Sequence, residues 1–291
     1  MEKTKFKIVV ASGKGGVGKS MLASGLSMLL AKSKKIVAVD CDVDAPNLHL
    51  WLGLNEKWDK IEEISVSERP MIDSKKCNGC GRCAEICAFG ALKIEKEGPV
   101  LNQFFCEGCG ACEVVCPSRA IIMKKINNAE IKIRKNIHGF PLVSAQLYPG
   151  EVGSGKIVDQ IKEKAGKFNY EIMILDAPGG SGCPVIAALN GADFAILVTE
   201  PTPSGFSDIK RVLSIVNHFK IHYKVVINKW DINISLSKKM KKWFGNNYLG
   251  KISYDKKIFK EIASLNPVIK SNLAVKKEIE EIYSELKKIL H

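Results

Sequence analysis

Residues 7–20 read KIVVASGKGGVGKS, and the fold turns on them. The first six form a continuous, largely β-branched run, the pattern of a parallel strand covered on both faces. The chain then breaks into glycines: GKGGVGKS, residues 13–20, fits G-x-x-x-x-G-K-[ST] between a strand and a helix. In such a loop, backbone N–H groups turn inward around phosphate oxygens, assisted by the positive end of the following helix. Gly13, Lys14, Gly15, Gly16, Val17, Gly18, Lys19, Ser20 and Met21 are therefore expected to contact a nucleotide. Lys19 would reach the β- and γ-phosphates, and the Ser20 hydroxyl would bind Mg²⁺.

The same rhythm extends outward. Runs at 36–40, 142–147, 172–176, 194–199 and 225–228 read as further buried strands, with amphipathic segments at 19–32, 155–164, 207–219 and 258–264. This predicts an α/β fold, a mostly parallel sheet sandwiched by helices, with ligands at the carboxyl ends of the strands. Between residues 72 and 125 the rhythm stops and two similar Cys/Gly-rich halves follow one another. It resumes after a lysine- and asparagine-rich connection near 125–136. Such a repeat marks a small inserted α+β domain, 72–125, which splits a host domain of 1–71 and 126–291.

The glycine loop also satisfies G-x-G-x-x-G through Gly13, Gly15 and Gly18, with Asp40 as the acid of a dinucleotide site. Lys19-Ser20 favours a triphosphate with its metal instead, and three more strand ends agree. DCDVD at 40–44 and DAPGG at 176–180 bring carboxylates to the metal side of the loop. NKWD at 228–231 offers the Asn228 amide to a base edge.

KGGVGKS, with Lys14 early in the loop, resembles the deviant Walker A sequence of the MinD/ParA/Mrp ATPases, a group that includes the nitrogenase iron protein. DCDVDAPNLHLWLG is similar to that group's first switch, DAPGG to its second and NKWD to its base-contacting element. GKISYDKKIFKEIASLNPVI is similar to the late segment that flanks the base. The resemblance covers nearly the whole chain outside the insert. It implies ATP and Mg²⁺ held between two subunits, in a homodimer or a heterodimer with a similar chain. It further implies Lys14 acting in trans and Lys19 in cis, with Asp42 orienting the attacking water. Ser20, Asp42 and Asp176 would then form the Mg²⁺ side of the site.

CNGCGRCAEICAFGAL (77–92) and CEGCGACEVVCPSRAI (106–121) each carry C-x-x-C-x-x-C-x-x-x-C, the spacing of bacterial ferredoxins with two [4Fe–4S] clusters. By that pattern Cys77, Cys80, Cys83 and Cys116 hold one cluster, and Cys87, Cys106, Cys109 and Cys112 the other. Zinc sites built from paired C-x-x-C leave the third cysteine of each run unexplained. Pro117 follows the second run, whereas Ala88 stands at the matching place in the first. Cys41 ends a buried strand as a small apolar filler. Cys183 lies seven residues beyond Asp176, the offset of an intersubunit cluster ligand in the nitrogenase iron protein. That makes it a candidate ligand for an interface cluster or metal; a buried structural cysteine is the alternative reading.

The chain of 291 residues is 46% hydrophobic and 26% charged, which excludes a disordered chain. No signal-peptide core and no apolar run of about 20 residues is present, so a cytoplasmic protein is expected. Its net charge of +13 is spread through lysine pairs, often beside glutamates, so specific nucleic-acid binding is not expected. The last segment sets Val275, Ile279, Ile282, Leu286 and Ile289 on one helical face, with four Lys and four Glu balanced opposite. This predicts a helix packed on its own domain, with no stable membrane insertion. The function expected is an ATPase whose nucleotide state controls a two-cluster ferredoxin module that passes electrons to a redox or iron–sulfur acceptor protein. An Mrp-type cluster carrier or assembly factor is the first alternative, and a positioning or partition ATPase the second.

Overall fold

The computed structural model describes residues 5–290. Its strands are β1 (Phe6–Ser12), β2 (Ile36–Asp40), β3 (Lys60–Ile64), β4 (Ser67–Ile72), β5 (Leu92–Glu95), β6 (Gly98–Leu101), β7 (Ile121–Ile126), β8 (Ala129–Ile137), β9 (Phe140–Leu147), β10 (Ile172–Gly179), β11 (Phe194–Thr199), β12 (His222–Asn228) and β13 (Tyr248–Ile252). Its helices are α1 (Lys19–Leu30), α2 (Leu48–Trp51), α3 (Arg82–Glu85), α4 (Ala111–Val114), α5 (Ser154–Gly166), α6 (Cys183–Leu189), α7 (Pro203–His218), α8 (Ile234–Phe244), α9 (Ile258–Ala263) and α10 (Ala274–Leu290).

Nine strands form one sheet in the order β13-β12-β11-β1-β10-β2-β9-β8-β3. The pairs from β13 through β9 are parallel. Residues 8–11 and 37–39 are fully buried, as strands covered by helices on both faces must be. Register fixes the chemistry: Val10 pairs with Asp176, which pairs with Asp40, so two acids stand together at the carboxyl edge beside the glycine loop. Helix α1 turns its buried Met21, Leu22 and Leu26 onto this sheet. Val275, Ile279, Ile282 and Leu286 of α10 are buried in the same core, while Ile289 is exposed. Among the described residues no helix is long and apolar enough to cross a membrane.

The chain divides into two compact units. One takes the residues up to Ile61, Ile131–Gln146 and the chain from Ser154; the other takes Glu62–Glu130 and Leu147–Gly153. The stretch near 125–136 is not a plain connection. It contains the end of β7 and most of β8, whose alternating burial (Ala129, Ile131 and Ile133 inward) has the period of a strand with one open face. In the second unit β4 pairs antiparallel with β7, and β5 with β6.

Candidate functional site

A pocket of ≈ 290 Å³ opens at the carboxyl edge of the first unit's sheet. Gly15, Gly16, Gly18, Lys19, Ser20 and Met21 line it, together with Asp42 and Asn228. Gly13, Lys14, Val17 and Asp176 do not. Gly13 lies where a Cβ would overlap the Asp208 backbone, and Val17 is buried with its carbonyl accepting from Asn228 Nδ2 at 2.7 Å. The Asn228 Oδ1 accepts from the Lys229 amide at 2.8 Å, so this side chain braces the loop with one of its two amide hydrogens to spare. Lys229 Nζ donates to the Gly16 carbonyl at 3.2 Å.

The pocket is also lined by Trp51, Lys229, Tyr254, Asp255 and Phe259, which fall within DCDVDAPNLHLWLG, NKWD and GKISYDKKIFKEIASLNPVI but were not singled out there. Asp231 Oδ1 accepts from the Tyr254 amide at 2.8 Å, and Glu278 of α10 accepts from the Ser253 amide at 2.8 Å. These two contacts fix the loop at the pocket's rim. Trp51 lies seven residues beyond Asp44, inside DCDVDAPNLHLWLG; an aromatic so close to a phosphate-side acid was the available signal.

Asp40 does not line the pocket. It is fully buried, its Oδ2 accepts from the Leu48 amide at 2.9 Å and its Oδ1 from the Asp42 amide at 3.2 Å. It shapes the turn that presents Asp42 and cannot serve a ribose, which removes the dinucleotide alternative. Burial, then the neighbouring Asp176, push its carboxyl well up. Lys19 is buried too, and burial lowers its ammonium against the opposing pull of Asp176 and Asp42.

Asp176 is buried and its Oδ1 has no hydrogen-bond partner. An orphaned acceptor of that kind, beside Ser20 and Asp42, suits a divalent cation. Burial pushes this carboxyl up to about 7; the Ser20 hydroxyl and the Lys19 ammonium pull it down, and Asp42 pushes it up. A cation must displace the proton. Mg²⁺ affinity in the presence of ADP is therefore expected to fall as pH drops below about 7, by up to about tenfold per unit. Stability of the metal-free protein has the opposite sign. The folded state binds this proton more tightly than the unfolded state, so stability is lost as pH rises from the ordinary 3.8 through about 7. Calorimetric titration across neutrality checks both signs, and a pH-independent Mg²⁺ affinity would contradict them.

The CobQ/CobB/MinD/ParA nucleotide binding domain matches residues 8–268. The chain belongs to that family. Two uncharacterised proteins of Methanocaldococcus jannaschii are similar to it over most of its length. One is 38% identical over 289 residues, 98% of either chain. The other is 33% identical over 251 residues, 86% of this chain and 87% of its own. The solved septum site-determining protein MinD of Pyrococcus horikoshii, complexed with Mg-ADP, shares the fold at TM-score 0.63 and 16% identity, over 99% of this chain and 98% of that one.

Within this MinD/ParA-type chain the second unit repeats one design twice. Gly81 and Gly110, at φ 76° and 77°, lead into the short helices α3 and α4, which bury Cys83 and Cys112. Cys87 and Cys116 follow, their sulfurs accepting from the amides of Ala91 at 3.3 Å and Ala120 at 3.2 Å. Two cavities result. One is lined by Cys87, Cys106, Cys109 and Cys112; the other by Cys77, Cys80, Cys83 and Cys116. Each thus draws three cysteines from one half and one from the other.

Among the described residues no group of three or more Cys, His, Asp or Glu is arranged to hold a metal ion. Four thiols spread around a cavity suit a group of several metal atoms, each bound by a different sulfur, better than mononuclear zinc. The unit's buried core cluster is small, Cys83, Leu92, Cys112 and Ile121, so apolar burial alone gives it little to stand on. Burial pushes the Cys83 and Cys112 thiols up. It also pushes up Cys87 and Cys116, but there the surrounding backbone amides, with the Ser118 hydroxyl at Cys116, outweigh it and hold both below the usual thiol value.

Cys41 is buried, and burial pushes its thiol well up, as suits a filler. Cys183 is exposed at the first residue of α6, against Gly155 of α5, so the buried structural alternative does not hold for it.

Proposed function

We propose that nucleotide binding and hydrolysis by the first unit control two [4Fe–4S] clusters held by the second, in ATP-gated electron delivery to a partner protein. The observation that carries this reading is the pair of four-cysteine cavities, each completed from the opposite half, in a chain that also has a phosphate-loop pocket. Bound there, such clusters would supply one-electron transfer at sites with no open position for substrate. Cys77, Cys80, Cys83 and Cys116 hold one, and Cys87, Cys106, Cys109 and Cys112 the other. Phe89, Phe104, Phe105 and Val114 of the cysteine unit are exposed, which leaves apolar side chains on its surface for a partner to cover.

In the first unit Lys19 and Ser20 hold phosphate and Mg²⁺, Asp176 supports the metal, Asp42 orients water and Asn228 meets the base. Mg-ADP in the solved MinD supports that choice of ligand. Lys14 completes the site of a second subunit, in a homodimer or with a similar chain. Lys14→Ala is accordingly expected to leave ADP affinity within about twofold while hydrolysis falls at least about tenfold. Unchanged turnover would remove the trans-acting lysine.

The septum site-determining name of the MinD relative favours a second reading, a positioning ATPase. Exposed Cys183 favours a third, a cluster carrier in which this thiol handles cargo at the subunit interface. One anaerobic experiment separates the three. Protein reduced by a viologen dye is mixed with ATP or ADP and an apo-ferredoxin, and iron, sulfide and visible spectra are followed. ATP-dependent reoxidation by an added one-electron acceptor, with iron retained, supports electron delivery. Cluster appearing on the apo-ferredoxin means a carrier, and a protein that never holds iron means a positioning ATPase.

A further inference from the structure

Lys14 is held inside its own subunit. Its Nζ lies 2.6 Å from Glu200 Oε1 and 3.4 Å from Ser204 Oγ. Glu200 follows the last residue of β11 and is buried; its other oxygen, Oε2, meets Lys229 Nζ at 3.1 Å. Lys229 in turn donates to the Gly16 carbonyl of the phosphate loop. One carboxylate therefore spans two lysines, one oxygen to each. Its mount is rigid, because the Glu200 carbonyl accepts from the Thr202 amide at 2.8 Å and a Cβ on Gly205 would strike it.

We propose that Glu200 is a positioning residue that parks Lys14 in the resting subunit and gives it up when nucleotide brings two subunits together, Lys229 keeping the carboxylate paired meanwhile. The proposal rests on the trans-acting role of Lys14. Its physical basis is the cost of stranding a buried charge. Stripping a buried carboxylate of its one partner is strongly unfavourable. Glu200 has two partners, so the release of Lys14 leaves it with Lys229 and the cost is reduced. The lysine is also the partner free to move, with a side chain 31% exposed against 11% for the glutamate. A triphosphate carries more negative charge than a carboxylate and so competes well for the freed ammonium. While parked, Lys14 withholds part of the population from dimerisation and weakens its apparent constant by that fraction.

The test is sedimentation of the full chain with ADP and with a non-hydrolysable ATP analogue, beside an ADP-binding titration. Glu200→Gln keeps the shape and removes the charge. It is expected to dimerise with the analogue at about tenfold lower protein concentration, with ADP affinity unchanged. Glu200→Asp, too short to span both lysines, is expected to give a smaller shift and guards against a misfolded Gln variant. In a Lys14→Gln background, Glu200→Gln should have no further effect on dimerisation. Two results overturn the proposal: wild-type dimerisation in both Glu200 variants, or a loss of ADP affinity that makes Glu200 only a brace for the loop through Lys229. A wild-type chain that binds ADP but never dimerises with the analogue removes the trans-lysine reading itself, and the parking role with it.

Discussion

Serine at Cys116 is expected to remove about four of about eight irons from anaerobically purified protein, with a matching loss of sulfide. Cys116 belongs by sequence to the second cassette, yet it lines the cavity of Cys77, Cys80 and Cys83 from the first. Cys87 makes the reciprocal move into the cavity of Cys106, Cys109 and Cys112. Paired variants turn this exchange into a decisive count. Cys83→Ser with Cys116→Ser strikes one cavity twice and should still leave about four irons. Cys83→Ser with Cys87→Ser strikes both cavities and should leave almost none, although both residues lie in one cassette. Were each cassette to hold its own cluster, the two results would be interchanged. Cys41→Ser is the control, since Cys41 lines neither cavity, and should change nothing in iron content. The loss should also lower the unit's thermal stability, because two of the four residues of its buried core cluster are themselves cysteines.

The ferredoxin pattern led to the expectation of that grouping, and the strands at the centre of the sheet were legible from their apolar runs. Residues 36–40 and 194–199 are apolar on both faces because helices cover both, and such runs have few competing readings. The sheet edges were not legible. Tyr248–Ile252 carries Gly250 and Lys251, and Lys60–Ile64 carries two glutamates, because edge strands with open faces need no apolar run. Residues 129–137 alternate correctly for a strand, but the lysines and asparagines through 124–136 have the composition of a linker. In the pocket, Lys19 was picked out by the spacing of its loop and Asp42 by the family resemblance, and both line it. Glu200 could not be picked out in either way, since its meaning comes from two lysines 186 and 29 residues away that only the folded chain brings together. The offset of Cys183 gave its position relative to Asp176 but not its exposure.

Alanine at Gly179 is expected to cost the protein most of its nucleotide affinity. Gly179 ends β10 and pairs across with Ser12, and the Gly180 amide donates to the Ser12 carbonyl at 3.1 Å. On the other side, the Ser12 hydroxyl donates to the Lys14 carbonyl at 2.6 Å. The opening of the phosphate loop is thus tied to the strand end that carries Asp176. A Cβ at Gly179 would lie 2.6 Å from the Lys14 carbonyl carbon and overlap the Gly15 nitrogen. Both are backbone atoms, so no side chain can swing aside and the loop itself must move. Overpacking of this kind costs about 1–3 kcal/mol. If the displaced loop bears that cost on binding, ADP affinity falls by about tenfold to a hundredfold. Gly180→Ala separates this steric effect from backbone strain. Gly180 is at φ 103°, where a side chain is strained, but nothing lies within 4 Å of its Cβ position. It should lose some stability and little affinity. Equal ADP binding by Gly179→Ala and wild type would mean that the close approach of this strand end to the phosphate loop does not govern nucleotide affinity.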